Sequence, residues 1–328
     1  MSDTRALVAE AIAATRIYPP ARYSWFGVMS ARPPARAART LSSRATRDYL
    51  VDQLSSRLYT DFYRHGRAER TRWHVNRLSA SRHDFEAALS AANCGQGHLD
   101  AGWQVRGTDE YGVMVVKNGL ELTVTADELT RTAPADMPAA GEWAALRLPK
   151  ELFWVSPGFY LACGDRPMDR RRTVRLYWNL RPDGAAPFVA AATRLLNSAA
   201  AAFNLKVPND PSTFIRCDAG VIYLPRADYP ALADLMLVLH AEIAGFLSPR
   251  TPVFTAQLAP GLGFAEDPGT GRSFGEHRCR LLAEALVRSH ESGWADDATV
   301  LAAVEERFAE ARIDLDAAHL SPDLVGVS

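Results

Sequence analysis

Lysine is scarce in this chain of 328 residues. Only Lys117, Lys150 and Lys206 occur among its 37 basic residues, and all the others are arginine. Arginine keeps its proton in proteins, whereas lysine can lose it when burial or a nearby cation lowers its pKa. Each lysine is therefore a candidate for a role that needs a neutral amine, although an arginine-rich composition accounts for the scarcity equally well.

Cysteine pairs and long apolar runs are also missing. The four cysteines stand far apart without a C-x-x-C pair, which argues against a zinc site and a small disulfide-rich fold. The segment 1–16 contains acidic residues and lacks the apolar centre of a secretory signal. The longest apolar runs, such as 235–239, are too short to cross a membrane. We therefore expect a cytoplasmic protein with no membrane partner.

The overall charge selects no partner, because the formal net charge is −1. The charge is unevenly spread: residues 31–72 carry a net +6 and residues 291–328 a net −7. Such asymmetry indicates solvated faces or contacts between the two ends, with an acidic-peptide surface as the alternative. No nucleic-acid partner is expected. The chain also lacks a nucleotide-binding glycine fingerprint, a G-x-S-x-G or H-E-x-x-H motif and a metal-ligand cluster.

Helical periodicity at both ends encloses a strand-rich centre, which predicts an α+β fold with N-terminal helices, central mainly antiparallel sheets and C-terminal helices. We divide the chain into an N-terminal helical region, 1–95, and an α+β domain, 96–328, with one continuous domain over 42–313 as the alternative. Helices are predicted over 3–16, 42–66, 82–92, 188–198, 227–247, 275–291 and 296–313. Strands are predicted over 102–106, 112–117, 120–125, 143–148, 156–160, 173–180, 203–207, 214–224 and 253–258.

The segment 203–218 contains the most suggestive polar residues. If its two predicted strands pair, Lys206 lies close to Arg216, and Arg216 shares a strand face with Asp218. A nearby guanidinium favours the neutral amine, while Asp218 can hold that guanidinium in place. The arrangement suits a base beside an anion clamp, to which Asn209 could contribute. The alternative is a surface ion pair that adds little to stability.

A second candidate lies at the start of the helix predicted over 275–291. Ser273 and Glu276 are spaced as a capping box, and a helix N-terminus favours an anion. Arg278 adds a bidentate donor and His277 is a plausible acid near neutral pH, although a structural histidine is the more common case.

The remaining lysines occupy turns. Lys150 follows a proline at the end of a predicted strand, and Lys117 precedes the hairpin turn Asn118-Gly119. Either could contact phosphate, and either could equally be a solvated turn residue.

Several motifs, in this order, resemble the HopA-type effector family over roughly residues 50–290. Relatives commonly have a cysteine where Arg64 stands and often two lysines around Lys117. The motifs are Leu58-Tyr59 with Phe62-Tyr63, Val115–Gly119, Leu148–Leu152, Ser156–Tyr160, Tyr177–Asn179, Lys206 with Asn209–Pro211 and Arg216–Asp218, and Ala259–Gly263 with Glu266–Gly269 and Ser273–Cys279.

The resemblance implies a phosphothreonine or phosphoserine lyase of ribosomal peptide natural product biosynthesis, as in class V lanthipeptide and thioamitide clusters. Such lyases eliminate phosphate from a precursor peptide that a partner kinase, similar to aminoglycoside phosphotransferases, has phosphorylated. They leave dehydroalanine or dehydrobutyrine and need no metal or organic cofactor. The competing hypothesis is a non-catalytic subunit that binds an acidic leader peptide on the region 32–72 and stabilises the kinase.

The residues suit that chemistry, which needs a base, cations for the phosphate dianion and an acid for the departing oxygen. We assign Lys206 as the base and His277 as the acid. Arg216 and Arg278 are expected to clamp the phosphate. The supporting phosphate or substrate contacts are Lys150, which is also an alternative base, Asp218, which orients Arg216, Asn209 and Lys117.

Overall fold

Helices lie at both ends of the chain and antiparallel sheets in its centre, so the predicted α+β class is confirmed. The computed structural model describes residues 4–32, 42–70, 82–131, 139–153, 155–169 and 171–322. The helices are α1 (Thr4–Ala14), α2 (Ser43–Asp61), α3 (Arg82–Ala92), α4 (Ala185–Ser198), α5 (Tyr229–Ile243), α6 (Phe274–Glu291) and α7 (Asp297–Glu310).

The strands form a small, a medium and a large antiparallel sheet. The small sheet is β1 (Thr15–Tyr18), β2 (Arg22–Trp25) and β3 (Val28–Met29). The five-stranded sheet has the order β6-β5-β4-β8-β7, with β4 (Leu99–Asp109), β5 (Gly112–Lys117), β6 (Leu120–Val124), β7 (Leu129–Arg131) and β8 (Trp143–Arg147). The seven-stranded sheet has the order β14-β15-β11-β13-β12-β10-β9, with β9 (Glu151–Leu152), β10 (Phe159–Cys163), β11 (Thr173–Trp178), β12 (Asn204–Pro208), β13 (Gly220–Pro225), β14 (Ala256–Ala259) and β15 (Leu262–Glu266).

Two predicted helices are shorter than the periodicity indicated. The first ends at Ala14, because residues 15–18 pair with β2. The helix predicted over 42–66 ends at Asp61, and a single 3-10 turn follows and ends at Gly66, whose φ of 67° lies in the left-handed region. The early end of α2 is important for the site, because the 62–66 turn that follows brings Arg64 to the central sheet.

The strand predicted over 214–224 begins only at Gly220, so Arg216 and Asp218 lie in the preceding loop rather than on a strand face. A 3-10 turn at 211–213 starts this loop, and the Asp210 side chain caps it by accepting from the Ser212 N–H. The Cys217 N–H then donates to the Arg64 carbonyl at 2.7 Å, away from the sheet ladder. The predicted pairing of β12 with β13 is present all the same.

Helices cover both faces of the seven-stranded sheet. Successive side chains of each strand point to opposite faces, so the sheet contributes to two cores. One face, with Leu176, Leu205 and Ile222, packs in a core shared with α3, α4 and α5. The other face contributes Tyr177 and Val221 to a core formed with α1, α2, α6 and α7. N-terminal and C-terminal helices therefore share one core. The division between residues 95 and 96 stays a prediction.

The helices α2 and α6 approach closely where the turn after α2 meets the first turn of α6. A Cβ at Gly275 would collide with the Tyr63 ring, so only glycine permits this packing. Tyr63 also forms an edge contact with Tyr177 of the sheet, at 6.5 Å between ring centroids. The turn is thereby fixed between the sheet and α6.

One helical segment is an exception to the expectation that no apolar segment is long enough to cross a membrane. Tyr229–Phe246 is long and apolar enough by length and composition alone. Its helix α5 places Met236, Leu239 and Ile243 in the core beside the central sheet, while Leu237 and Val238 are exposed. Such a helix is weak evidence of a span, since core helices of other proteins meet the same criteria.

Candidate active site

The register of the central sheet places Lys206 beside a cavity. Lys206 pairs with Val221 of β13, and Asn204, two residues earlier on the same face, pairs with Tyr223. Tyr223 in turn pairs with Arg175 of β11. Lys206, Asn204, Tyr223 and Arg175 line a cavity of about 310 Å³ on the face opposite α4 and α5.

The Lys206 amine lies in surroundings that favour its neutral form. Its Nζ is 3.8 Å from the centroid of the Phe159 ring, and it has no hydrogen bond or ion pair with any residue that the structure describes. The pKa of Lys206 is lowered to about 8, mainly because the amine is buried. The nearby Arg216 guanidinium also lowers this pKa, and its effect is larger than the opposite effect of Asp218. About a tenth of the amine is thus unprotonated at pH 7.

Arg216 is fixed beside Lys206 by a buried carboxylate. Its Nε and one terminal nitrogen donate to the two oxygens of Asp218 at 2.5 Å each. The same guanidinium lies 5.5 Å from the centroid of the Phe159 ring that Lys206 also contacts. Burial acts to raise the pKa of Asp218, but Arg216 outweighs it and holds that pKa below its usual value. The orienting role expected of Asp218 thus has a geometric basis.

Arg64 is a third cation that sequence reasoning did not identify. The turn after α2 places it next to the 214–219 loop, where its carbonyl accepts the Cys217 N–H. Its Nε is buried without a hydrogen-bond partner among the described residues. Burial, and then the charge of Arg216, lower the pKa of Arg64. The charges of Arg216, Arg64 and Lys206 all interact with Asp218, and this group of cations is suited to an anion.

Tyr59 adds a hydroxyl to this group. Arg216 donates to the Tyr59 hydroxyl oxygen at 3.3 Å, so the hydroxyl proton remains available. The Tyr59 ring stacks on Tyr63 at 5.4 Å between centroids. Burial raises the pKa of Tyr59 to about 12, so it keeps its proton at neutral pH. Tyr59 can therefore donate a hydrogen bond to an anion held by the arginines.

Arg175 and Asp267 form a charge pair in the wall of the cavity. Nε of Arg175 donates to Asp267 at 2.9 Å, and a terminal nitrogen contacts the same oxygen. The guanidinium lies 5.4 Å from the centroid of the Tyr223 ring. Asp267 matches the charge of Arg175 as Asp218 matches that of Arg216, and the Arg175 guanidinium also acts to lower the pKa of Lys206.

The first turn of α6 comes near Lys206, but through Glu276 rather than His277 or Arg278. The predicted capping box is present: Ser273 accepts the Glu276 N–H at 3.3 Å, and Glu276 accepts the Ser273 N–H at 3.0 Å. The Glu276 carboxylate acts to raise the pKa of Lys206. Because it carries a negative charge, it disfavours a phosphate at the helix N-terminus itself.

The contacts of Arg278 and His277 do not match the roles that we assigned from sequence. Arg278 is fully buried and donates to the carbonyls of Ala318 and Leu320 at 2.8 and 2.7 Å. Nδ1 of His277 lies 2.7 Å from an Arg278 nitrogen, and burial followed by Arg278 lowers the pKa of His277 to about 4. Arg278 therefore anchors the C-terminal segment 318–321, and His277 is neutral near pH 7 with no proton of its own to give as a charged acid.

The other three candidates also have structural partners. Nζ of Lys150 donates to the carbonyls of Ser90 and Asn93 at 3.1 and 2.9 Å, which ties β9 to α3. Nζ of Lys117 contacts Asp100 at 2.5 Å in the five-stranded sheet. Asn209 is buried and donates to Glu86 of α3 at 3.2 Å. The structure does not join these side chains to the Lys206 cavity.

The described residues contain no group of three or more His, Cys, Asp or Glu side chains that could hold a metal ion. The positive groups that converge are Lys206, Arg216 and Arg64, drawn from β12, the loop before β13 and the turn after α2. Fold and site together define an α+β protein in which Lys206 lines a cavity at one face of an antiparallel sheet and a group of arginines lies beside it.

The chain belongs to the HopA1 effector protein family, whose model matches residues 153–320, more than half of its length. Two solved structures of effector proteins from Pseudomonas syringae resemble it. That from pathovar tomato strain DC3000 is 17% identical with a TM-score of 0.48, and the match covers 87% of this chain and 93% of the other. That from pathovar syringae strain 61 is 15% identical with a TM-score of 0.43, covering 82% and 95%. No curated protein matches the chain.

Proposed function

We propose that this protein is a lyase that eliminates phosphate from phosphothreonine or phosphoserine in a peptide. The observation that carries the proposal is the convergence of Lys206, with its pKa lowered to about 8, and the two guanidiniums of Arg216 and Arg64. A phosphorylated side chain presents a dianion for the cations and a Cα–H for the amine. The arginines can thus bind the phosphate leaving group while the Lys206 amine removes the Cα proton.

The neutral Lys206 amine removes the proton from Cα. The electrons of that C–H bond form the Cα–Cβ double bond, and the Cβ–O bond breaks with its electron pair passing to phosphate. Arg216 and Arg64 stabilise the charge that grows on the departing oxygens, which is the kind of stabilisation that usually contributes most to catalysis. The product residue is dehydrobutyrine from threonine or dehydroalanine from serine.

Tyr59 is our candidate for the proton donor, in place of His277. Its protonated hydroxyl already contacts Arg216, so a phosphate held by that arginine comes within reach of it. After the product leaves, Lys206 gives the proton it gained to solvent and Tyr59 takes one up from solvent, which restores the neutral amine and the protonated hydroxyl.

The family resemblance supplies the setting of the proposal. We propose that the substrate is a ribosomally made precursor peptide in lanthipeptide or thioamitide biosynthesis. An aminoglycoside-phosphotransferase-like kinase would phosphorylate it and be the partner protein in the cytoplasm. The elimination itself requires a base, cations and an acid, for which Lys206 in the cavity and Arg216, Arg64 and Tyr59 beside it are the candidates.

The decisive experiment follows phosphate release and the accompanying mass loss from a synthetic phosphothreonine peptide. We expect Lys206→Ala to lower the rate by about 10²- to 10⁴-fold, the usual contribution of a general base. The matched control is Lys117→Ala, since Lys117 is engaged with Asp100 in another sheet. Normal release by the Lys206→Ala protein would remove Lys206 from the base role.

The same assay excludes the non-catalytic subunit, because turnover by the purified chain alone requires an active site. The described ion pairs of the region 32–72 leave its excess positive charge in place, because Arg47 pairs with Glu291 outside the region while Asp52 pairs with Arg280.

A further inference from the structure

A second cavity adjoins the one that contains Lys206. It measures about 290 Å³, and its walls are largely apolar. Asn204 and Met168 line both cavities, so the two are neighbours along the face of the central sheet. The apolar side chains that line it are Leu148, Pro149, Leu152, Pro167 and Met168.

The spacing along β12 relates this cavity to a bound peptide. Asn204 and Lys206 lie on the same strand face two residues apart, a separation of about 6.6 Å at the usual rise of a strand. An extended peptide repeats its side chains on one face at the same interval. A peptide that runs over the sheet face along β12, with its phosphorylated residue at Lys206, presents a further side chain two residues away to the cavity beyond Asn204.

The walls of this cavity determine which side chain it accepts. Leu148, Leu152 and Met168 are half-buried, so each leaves part of its apolar surface facing an open space. Arg166 is the arginine among the lining residues; it is exposed and donates to the Ala200 carbonyl at 3.1 Å. An aliphatic or aromatic side chain would displace water from these walls, whereas a carboxylate would lose hydration without a buried partner.

We propose that this second cavity is a specificity subsite for an apolar side chain two residues from the phosphorylated threonine or serine. The inference rests on the proposed function, because it takes the phosphorylated residue to bind at Lys206. It identifies the substrate class as peptides that carry an apolar residue at that position, and it makes the side chains around 148–152 and 167–168 determinants of specificity.

The test uses peptides in which a phosphonate replaces the phosphate of threonine, since a C–P bond cannot undergo the elimination. Leucine or aspartate is placed two residues before or two residues after that position, and the Kd is measured by fluorescence anisotropy with the full chain. We expect leucine on one of the two sides to bind at least about tenfold more tightly than aspartate. Equal Kd values for leucine and aspartate on both sides would overturn the subsite.

A variant locates the preference. Pro167→Asp places a carboxylate at the cavity wall in an exposed loop, and it is expected to reduce the leucine preference to about threefold or less. The matched control is Pro230→Asp, which is exposed in the first turn of α5 and should retain the full preference. A preference unchanged in the Pro167→Asp protein assigns it to another surface and overturns the proposal.

Phosphate release from the corresponding phosphothreonine peptides separates the two claims. Release that is equally fast with leucine and aspartate retains the lyase and overturns the subsite. Leucine-selective binding without release by the wild-type chain supports the subsite and overturns the lyase activity.

Discussion

Arg216 and Arg278 occur in the two motifs that most specifically resembled the family, yet their surroundings are opposite. Arg216 has one carboxylate partner and lies among further cations, namely Arg64 and Lys206. Arg278 lies fully buried against Phe274, and its donors are directed to the C-terminal segment 318–321. The comparison shows that the residue type does not decide the role of an arginine. What decides it is whether the protein's own acceptors already satisfy its charge and its donors.

The comparison predicts that Arg278 mainly contributes stability. Arg278→Ala removes hydrogen bonds to Ala318, Leu320 and Ser321 and leaves buried acceptors without partners. We expect the free energy of unfolding to fall by about 3 kcal/mol or more, measured by urea denaturation. An Arg278→Ala protein of wild-type stability that no longer releases phosphate would instead return Arg278 to the phosphate site.

Arg216 is predicted to show the reverse pattern. Arg216→Ala alone would leave Asp218 buried and unpaired, so the informative variant combines it with Asp218→Asn. We expect kcat/KM for the phosphothreonine peptide to fall by about 10²- to 10³-fold, as when one stabilising donor of a developing anion is removed. Unfolding measured in parallel should show a smaller loss of stability than Arg278→Ala. Unchanged kinetics would remove the clamp from the proposed mechanism.

Arg64 sharpens the comparison, because its Nε is buried without a hydrogen-bond partner among the described residues. We expect Arg64→Ala to lower kcat/KM by about tenfold, since a partly buried charge-assisted contact to the dianion contributes roughly 1.5 kcal/mol. Arg67→Ala is the control, since Arg67 lies three residues away and pairs with Glu69. Equal effects of the two variants on peptide turnover would indicate a general charge effect rather than a site.

The smallest predicted effect is the pH dependence. With the pKa of Lys206 at about 8, its neutral fraction increases about fivefold between pH 7 and pH 8. A base must be unprotonated, so kcat/KM should rise through pH 8 and then level off. A protonated Lys206 that only binds phosphate would give the opposite slope. An acid at His277, whose pKa is about 4, would make activity fall already above that pH.

The sequence predicted the parts of the fold that local patterns control. The Ser273–Glu276 capping box starts α6, and the Asn118-Gly119 turn joins β5 to β6. The pairing of β12 with β13, which the sequence reasoning took as a condition, is present in the sheet. Local pattern failed at Arg216, where Pro211 and the Cys217 hydrogen bond keep the chain out of the ladder until Gly220.

The candidate site was harder to predict, because it depends on contacts between distant segments. The scarcity of lysine drew attention to Lys206, and the neighbouring Arg216 and Asp218 followed from proximity in sequence. Nothing local indicates that the turn after α2 reaches the central sheet, so Arg64 and Tyr59 were missed. Likewise, the hydrogen bonds that satisfy the Arg278 guanidinium are accepted by residues about forty positions further along the chain.

The close contact between Tyr63 and Gly275, called here the α2–α6 seam, matters for the design of fragments that contain only the residues matched by the family model. A fragment cut at residue 153 would retain the amine on β12 and the loop that follows it, but it would lose the second guanidinium and the phenol that approach from the other side of that seam. The fragment matched by the family model would contain Lys206 without Arg64 and Tyr59. Boundaries for expression are therefore better drawn around the assembled pocket than around the segment by which the family is recognised.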